Sequence, residues 1–227
     1  MATPATFDAV RALLLDFDGV IVDSEHLHDQ ALRAVCAPLG FDWPGEPFIG
    51  WSDADVLRHL HAARDSPLTA RALDDLLARK TEVVLRQVRA GLYRAYPGAI
   101  ELIEAASEAG PVGVCSAGMR AQIEPVLAQL GVLPRLSTIV SVEDVALSKP
   151  DPAPYLLAAE RLALEPRSCV AIEDSPRGVT AAKGAGCFTI AVAHTTSPAQ
   201  LAHADHILTS LSGVTPPDLA AMLRERR

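Results

Sequence analysis

Six short apolar runs, each followed by polar residues, are the feature of this chain that most restricts its fold. The runs are nearly continuous rather than alternating, which is the pattern of parallel strands buried on both faces. Segments with helical spacing lie between most of them. This alternation predicts an α/β fold with a doubly wound, mostly parallel sheet. The predicted strands are 10–16, 112–116, 138–142, 169–173, 188–192 and 206–209, and the predicted helices are 98–109, 120–130, 152–163 and 176–185.

A long segment after the first strand interrupts this alternation, because residues 24–92 contain no convincing strand. Apolar residues recur there at helical spacing among charges, which is typical of amphipathic helices. We therefore predict a small all-helical cap domain inserted into the α/β core, with 93–98 as the crossing back to the core. The predicted cap covers 21–92, the core covers 1–20 and 93–227, and the cap helices are 25–38, 53–64 and 68–90.

The composition is typical of a well-packed acidic protein and disfavours several classes of function. Hydrophobic residues make up 49% of the 227 positions and charged residues 21%, enough for a large core. A formal net charge of -8 argues against nucleic-acid binding, which needs a basic face. No apolar run reaches the roughly 20 residues of a membrane span, and residues 1–9 lack a signal-peptide pattern. The four cysteines show no CxxC spacing, so we expect reduced thiols and a cytoplasmic location. We also expect a monomer.

Two aspartates in the sequence LLLDFDGVIVDSE directly follow the first predicted strand. Asp16 and Asp18 are two positions apart, so both side chains can face one pocket from a tight loop. One carboxylate is then a candidate nucleophile and metal ligand, and the other a candidate general acid and base. The alternative is an ordinary turn whose acids bind backbone amides, and this motif alone does not decide between the two.

Two further motifs offer groups that can bind a phosphate. In VGVCSAG, the hydroxyl of Ser116 and the backbone N–H of Ala117 are candidate phosphate donors, although a helix N-cap is the alternative. In SKPDP, prolines restrict the backbone around Lys149, and a rigidly held ammonium suits a phosphoryl group or crowded carboxylates. A solvated surface lysine is the alternative, but the chain has lysine only at 80, 149 and 183, which weakens it.

Adjacent acids end the fourth predicted strand in the sequence AIEDSPRG. Glu173 and Asp174 offer the oxygen ligands that Mg²⁺ prefers, since this cation is usually held by one or two carboxylates with waters and phosphate. The alternative is a pair of acids favoured by the dipole of the helix that follows.

These four motifs, in this order and each at a strand end, resemble the signature of the haloacid-dehalogenase-like phosphohydrolases. The resemblance covers nearly the whole chain and is closest to the β-phosphoglucomutase-like and CbbY-like members, which carry a helical cap. It implies that Asp16 attacks phosphorus to form an aspartyl phosphate, while Asp18 protonates the leaving oxygen and then activates water. It also implies that Ser116 and Lys149 hold the phosphoryl oxygens. The implied Mg²⁺ ligands are Asp16, the backbone carbonyl of Asp18, Asp174 and, directly or indirectly, Glu173.

Several other residues leave alternatives open. His28 matches a histidine near the core–cap hinge of β-phosphoglucomutase-like proteins and is a candidate substrate contact, but simple packing on the first cap helix is an equal alternative. Arg120 is a candidate for phosphate or a substrate hydroxyl, against a solvated arginine at a helix start. Trp51 is a candidate to close over substrate, whereas Trp43 is expected in the core of the cap. We interpret the remaining histidines and two basic residues as surface or packing residues: His26, His59, His61, His194, His203, His206, Arg177 and Lys183.

The expected function is Mg²⁺-dependent hydrolysis of a small phosphorylated metabolite, above all a sugar phosphate. Asp18 argues against the dehalogenase members of the family, which do not need this acid and base. A non-catalytic partner-binding module is a distant alternative, because such a module has no need of the intact catalytic set.

A phosphosugar mutase is the nearer alternative. It must grip a second phosphate, and similar mutases use basic residues in the cap loop around the glycine that matches Gly50. Here residues 41–56 contain no lysine or arginine and carry four acids instead. Arginines on the cap helices, such as Arg58 or Arg86, remain possible substitutes, and His28 weakly favours the mutase.

Overall fold

A six-stranded parallel sheet forms the centre of the molecule. The computed structural model describes residues 10–41, 48–64 and 67–225. Within them the strand order is β3-β2-β1-β4-β5-β6, and every neighbouring pair is parallel. This confirms the predicted doubly wound α/β core. The strands are β1 Ala12–Leu15, β2 Val112–Cys115, β3 Thr138–Val140, β4 Cys169–Glu173, β5 Phe188–Val192 and β6 His206–Leu208.

The strand order reverses beside β1, and this fixes where a ligand can bind. After β1 the chain builds β2 and β3 on one side, and β4, β5 and β6 follow on the other. The carboxyl ends of β1, β2 and β4 therefore meet at the reversal, where open α/β sheets place their ligand crevices. All four sequence motifs lie at this edge.

Helices cover both faces of the sheet. On one face Leu13 and Leu15 pack with three helices of the core and with three buried side chains of residues 24–92, and on the other Ala12 and Leu14 pack with two helices. The near-continuous apolar runs are explained by this double coverage. The first set is α4 Ala99–Ala109, α5 Arg120–Gln129 and α8 Pro216–Glu225, and the second is α6 Ala153–Arg161 and α7 Pro176–Ala185.

Three helices between β1 and α4 form the predicted cap. Leucine, valine and cysteine side chains of these helices make a hydrophobic cluster of their own, separate from the clusters on the sheet. Ser52 and Thr69 cap the second and third of them by accepting hydrogen bonds from Asp55 N and Ala72 N, both at 3.2 Å. The residue boundaries of the cap stay a prediction. The helices are α1 Glu25–Cys36, α2 Asp53–Ala62 and α3 Ala70–Arg89.

The two chain crossings between core and cap lie side by side. Asp23 N donates to Arg94 O and Tyr96 N donates to Ile21 O, both at 2.9 Å, around an antiparallel bridge between Val22 and Ala95. The chain therefore crosses back to the core at 94–96, while the bounds 93–98 stay a prediction.

Other expectations from the sequence are met in part. All four cysteines are buried free thiols. No helix among the described residues is long and apolar enough to cross a membrane. Trp43, expected in the core of the cap, lies outside the described residues.

Two glycines with positive φ give a matched stability test. Gly98, the N-cap of α4, has φ +87°, and an added Cβ would lie 2.1 Å from the carbonyl oxygen of Leu211. Gly131 has φ +77°, and an added Cβ there meets no atom within 4 Å. We expect Gly131→Ala to lower the free energy of unfolding by about 1–2 kcal/mol, the cost of left-handed backbone. Gly98→Ala should lower it by clearly more, because backbone must also move. Urea unfolding measures both variants, and equal losses would contradict the packing of α4 on the Leu211 loop.

Candidate active site

A cavity of about 460 Å³ lies between the carboxyl edge of the sheet and the cap. It brings together most residues that the motifs predicted. Asp16, Asp18, Ala117 and Lys149 line it from the core, and His28 lines it from the cap. The cavity is large enough for a metabolite the size of a phosphorylated sugar, and its core side contains the acidic motif.

Lys149 is the centre of the acidic cluster beneath this cavity. Its Nζ donates to Asp16 Oδ1 and to Glu173 Oε1, both at 2.6 Å, and only 1% of its side chain is exposed. Tyr155 also donates to Glu173 Oε1, at 2.5 Å. Although burial alone would lower it, the pKa of Lys149 is raised by the charges of Asp16 and Glu173. The ammonium therefore stays charged and fixes both carboxylates in place.

The cluster contains more negative charge than Lys149 can neutralise. Burial, followed by the charge of Glu173, raises the pKa of Asp16 well above its ordinary value. The pKa of Asp174 is raised in the same way by burial and by Asp16. Carboxylate oxygens of Asp16, Glu173 and Asp174 lie within 4.8 Å of one another. Such a buried, oxygen-only set fits a hard divalent cation, which would relieve this repulsion.

Gly19 lets the loop that carries Asp18 approach the cluster. Its φ is +81°, and an added Cβ would lie 1.9 Å from Asp174 Oδ2. Thr195 donates a hydrogen bond to that same oxygen. The Asp–Gly pair in DFDG is therefore needed for close packing over Asp174, beyond its role in a turn.

Asp18 is held by two side chains near the hinge. Ser24 Oγ donates to Asp18 Oδ1 at 2.5 Å, and His28 Nε2 lies 2.9 Å from the same oxygen. Burial alone would raise the pKa of Asp18, but its contact with His28 and the hydrogen bond from Ser24 lower it to about 2. Asp18 is therefore a carboxylate in this conformation, which is the form that a general base requires.

A buried lysine that the sequence interpretation missed lies behind His28. Lys80 is fully buried on α3, and its Nζ lies 2.5 Å from His28 Nδ1. It also donates to both carboxylate oxygens of Asp53 at 2.8 Å and to Gln122 Oε1, in the core, at 3.3 Å. The scarcity of lysine in the chain was the available signal. His28 is thus part of a polar network that joins the cap to Asp18. It is not simply a packing residue of the first cap helix.

Of the side chains predicted to bind phosphate, Ser116 lies near the cavity and Arg120 does not. Ser116 is buried beside the cavity, where its Oγ accepts a hydrogen bond from Gly118 N at 2.9 Å. Arg120 does not reach the cavity, so its predicted role in binding phosphate is not supported. Its guanidinium is held by Glu124 at 3.1 Å, by Asp144 at 2.7 Å and by a backbone carbonyl.

Aromatic side chains form the walls of the cavity. Trp51 and Phe48 lie on the cap side, with ring centroids 5.7 Å apart. His194 stacks on Tyr96 with centroids 3.9 Å apart and contacts Gly19 O at 2.9 Å. His194 was interpreted as a surface or packing residue, and the structure corrects this by placing it in the cavity wall.

Of the two basic residues of α7 that we interpreted as surface charges, one lies away from the cavity and the other does not. Lys183 pairs with Asp205 at 2.5 Å, away from the cavity. Arg177 contacts both the cap and the Lys149 loop, so its interpretation as a simple surface charge is wrong.

Glu25 is a carboxyl group in the cavity wall without a hydrogen bond or ion pair to another described residue. Burial, helped by the charge of Asp18, raises its pKa to about 7. The folded state therefore binds this proton more tightly than the unfolded state does. It follows that ionisation of Glu25 lowers the free energy of unfolding as the pH rises from the ordinary pKa of a glutamate, 4.5, through about 7.

Replacement of this group should change the pH dependence of stability. We expect Glu25→Gln to unfold at a higher temperature than the wild type at pH 8, with a smaller difference at pH 5. Thermal unfolding in the presence of EDTA measures this without interference from bound metal. Glu104→Gln, at an exposed position of α4, is the control and should show no such trend. A constant difference at both pH values would contradict the burial of a titrating Glu25.

Comparisons with known proteins agree with this geometry. The model of the haloacid dehalogenase-like hydrolases matches residues 10–186. Validoxylamine A 7'-phosphate phosphatase from Streptomyces hygroscopicus subsp. limoneus is 30% identical, over 92% of this chain and 98% of that protein. Hexitol phosphatase B from Escherichia coli (strain K12) is 32% identical, over 96% of this chain and 99% of that protein.

A solved structure supports the same assignment at the level of fold. The crystal structure of β-phosphoglucomutase from Clostridium difficile superposes with a TM-score of 0.86, covering 96% of this chain and 98% of that one. At 22% identity this likeness shows the fold alone. From the family match and the arrangement of the four motifs, we conclude that the chain belongs to the haloacid dehalogenase-like hydrolases.

Proposed function

We propose that this protein is a Mg²⁺-dependent phosphatase of a small phosphorylated metabolite, and that it works through an aspartyl phosphate on Asp16. The observation that carries the proposal is the pairing of two aspartates on one cavity. Asp16 is fixed by Lys149 at 2.6 Å, while Asp18 is held apart as a carboxylate by Ser24 and His28. These are the nucleophile and the proton carrier that a two-step phosphoryl transfer needs.

In the first step Asp16 attacks phosphorus and the alcohol leaves. Lys149 and the donors at Ser116 and Ala117 hold the phosphoryl oxygens, which places the group in line with the carboxylate. Asp18 faces the same cavity and gives a proton to the departing oxygen. Because Asp18 is anionic in the conformation described, it must take up this proton as the substrate binds.

In the second step the same side chain works in the opposite direction. After the alcohol has left, Asp18 is a carboxylate again and removes a proton from the water that attacks the aspartyl phosphate. The contacts from Ser24 and His28 favour this charged form, since both lower the pKa of Asp18.

The proposed Mg²⁺ fits the chemistry of the donor set. Asp16, Asp174 and the backbone carbonyl of Asp18 would hold it, with Glu173 acting mainly through Lys149 and Tyr155. When bound, the ion supplies positive charge that stabilises the phosphoryl oxygens during transfer.

The names of the relatives support the class of substrate. Hexitol phosphatase B and validoxylamine A 7'-phosphate phosphatase are named for action on small phosphorylated metabolites. We extend this class to the present protein, with a sugar or sugar-alcohol phosphate as the first candidate. A cytoplasmic location and a monomeric state stay predictions.

The cap side of the cavity argues against a mutase, which must grip a second phosphate. Among the described residues that line the cavity, Lys149 is the single lysine or arginine, and it lies at the Asp16 end. Asp53 faces the cap side and engages Lys80 through both oxygens. Arg58 and Arg86, on the cap helices, do not line the cavity. A second phosphate would therefore meet carboxylates without a cation to bind it.

A panel of phosphomonoesters tests the proposed activity directly. With Mg²⁺ present we expect phosphate release from hexitol and hexose phosphates, and loss of that release in EDTA that added Mg²⁺ reverses. With β-glucose 1-phosphate and glucose 1,6-bisphosphate as primer, phosphate release should exceed formation of glucose 6-phosphate. Faster isomerisation than release would favour the mutase, and full activity after complete chelation would remove the metal from the proposal.

The nucleophile has its own test. Asp16→Asn should abolish phosphate release, because an amide does not form the acyl phosphate and is a weaker metal ligand. Asp75→Asn, an exposed substitution on α3, is the matched control and should leave turnover unchanged. Steady-state kinetics and circular dichroism of both variants distinguish lost chemistry from lost folding. Near-normal kcat in folded Asp16→Asn would show that another group attacks phosphorus.

A further inference from the structure

Arg177 joins the core to the cap at a point outside the catalytic carboxylates. It lies in the first turn of α7, three residues after Asp174, and its Nη2 donates a hydrogen bond to the backbone carbonyl of Lys149. Its Nε donates to the carbonyl of Gly50, in the cap loop, at 3.3 Å. One guanidinium thus bridges the loop that carries Lys149 and the loop that closes the cavity.

The same guanidinium makes two further contacts with the cap. Its Cζ lies 4.7 Å from the ring centroid of Trp51, in a cation–π arrangement. Its Nη2 lies 3.9 Å from Asp55, in the first turn of α2. Trp51 lines the cavity whereas Arg177 does not, so Arg177 can affect the cavity only through the side chains it holds.

Gly50 seats this part of the cap directly on the core. Its φ is +73°, and an added Cβ would lie 2.6 Å from Ser175 Oγ. Ser175 is the N-cap of α7, where its hydroxyl accepts a hydrogen bond from Gly178 N at 3.0 Å. The close contact and the guanidinium bridge therefore act at the same place, one turn from the metal-binding carboxylates.

We propose that Arg177 is a positioning residue that holds the cap loop at Gly50 and Trp51 closed over the cavity. The inference rests on the proposed function. The Lys149 carbonyl is the fixed core anchor, and the contacts with Gly50, Trp51 and Asp55 form only when the cap is closed. Arginine is needed because its planar group donates in two directions while presenting a flat face to an aromatic ring. A lysine ammonium also donates in several directions, but all from one nitrogen, and it has no flat face to lie on the ring.

The placement of Trp51 gives the proposal a substrate-dependent consequence. Trp51 lines the cavity from the cap, whereas Asp16 and Lys149 line it from the core, so we expect the alcohol part of a phosphomonoester to face Trp51. A substrate with a large alcohol part needs the closed wall, whereas acetyl phosphate has little that can reach it. Loss of Arg177 should therefore weaken binding of the larger substrate more than it weakens reaction with acetyl phosphate.

The kinetic test compares Arg177→Met and Arg177→Lys with the wild type. With sorbitol 6-phosphate we expect kcat/KM to fall about tenfold in both variants, mainly through KM, which corresponds to 1.4 kcal/mol. With acetyl phosphate the fall should be much smaller. Arg58→Met is the matched control. The Arg58 guanidinium also pairs with Asp55, at 3.3 Å, but the Arg58 side chain is 61% exposed and does not touch the core. It should behave as the wild type.

Fluorescence of Trp51 tests the same contact without any turnover. The chain has two tryptophans, so Trp43→Phe leaves Trp51 as the sole reporter. In that background, acrylamide should quench Trp51 more strongly when Arg177→Met is added, while Arg58→Met should leave quenching unchanged. Thermal unfolding confirms that each variant is folded.

The outcomes separate this inference from the proposed function. Equal losses on both substrates, or unchanged kinetics and unchanged quenching, would overturn the role of Arg177. If the wild type released phosphate from neither substrate, the proposed function would fail, and the quenching comparison would still decide whether Arg177 holds the cap loop. Rescue of the kinetics by Arg177→Lys would also count against it, because the proposal depends on the planar group.

Discussion

The site depends on one ammonium group placed among buried carboxylates. Lys149 Nζ lies 2.6 Å from both Asp16 and Glu173, with Asp174 close by and almost no solvent. Removing a charge from water is costly unless it is paired, so each of these groups needs the others in order to stay buried. The acids outnumber the ammonium, and the raised pKa values of Asp16 and Asp174 record the remaining imbalance. A site built in this way is complementary to a divalent cation and an incoming phosphoryl group.

The parts predicted correctly are those that depend on local sequence. Apolar runs covered on both faces identify the strands, and the polar residues at their ends mark the carboxyl edge of the sheet, where Asp16, Lys149 and Asp174 meet. The helix Pro216–Glu225 was not predicted, although Thr215 and Asp218 carry its start signal. In the structure Thr215 N and Oγ1 both donate to Asp218 Oδ2, at 2.8 and 2.5 Å. A threonine followed three residues later by an acid is a helix-capping pattern, and it is visible in the sequence at 215–218.

The missed residues act across the boundary between cap and core. Lys80 contacts Gln122, in the core, across 42 positions, while Arg177 contacts Gly50, in the cap, across 127. Apolar periodicity places each residue on its helix, but the docking of one domain on the other decides which polar side chains meet. Arg120 has a different explanation, because its contacts lie within the core. Its position after the Ser116 motif suggested phosphate, whereas its guanidinium pairs with Glu124, one turn along the same helix, and with Asp144.

The paired crossings at 21–23 and 94–96 have a consequence for how such proteins diversify. Because the chain leaves and re-enters the core through neighbouring extended segments, the cap is attached at one narrow place, about one strand spacing of 4.7–4.9 Å wide. The sheet register and the acidic cluster are built from residues outside the inserted segment. A cap of another length or shape can therefore be exchanged without altering the strands. The choice of substrate can then change while Asp16, Lys149 and Asp174 keep their places at the edge of the sheet.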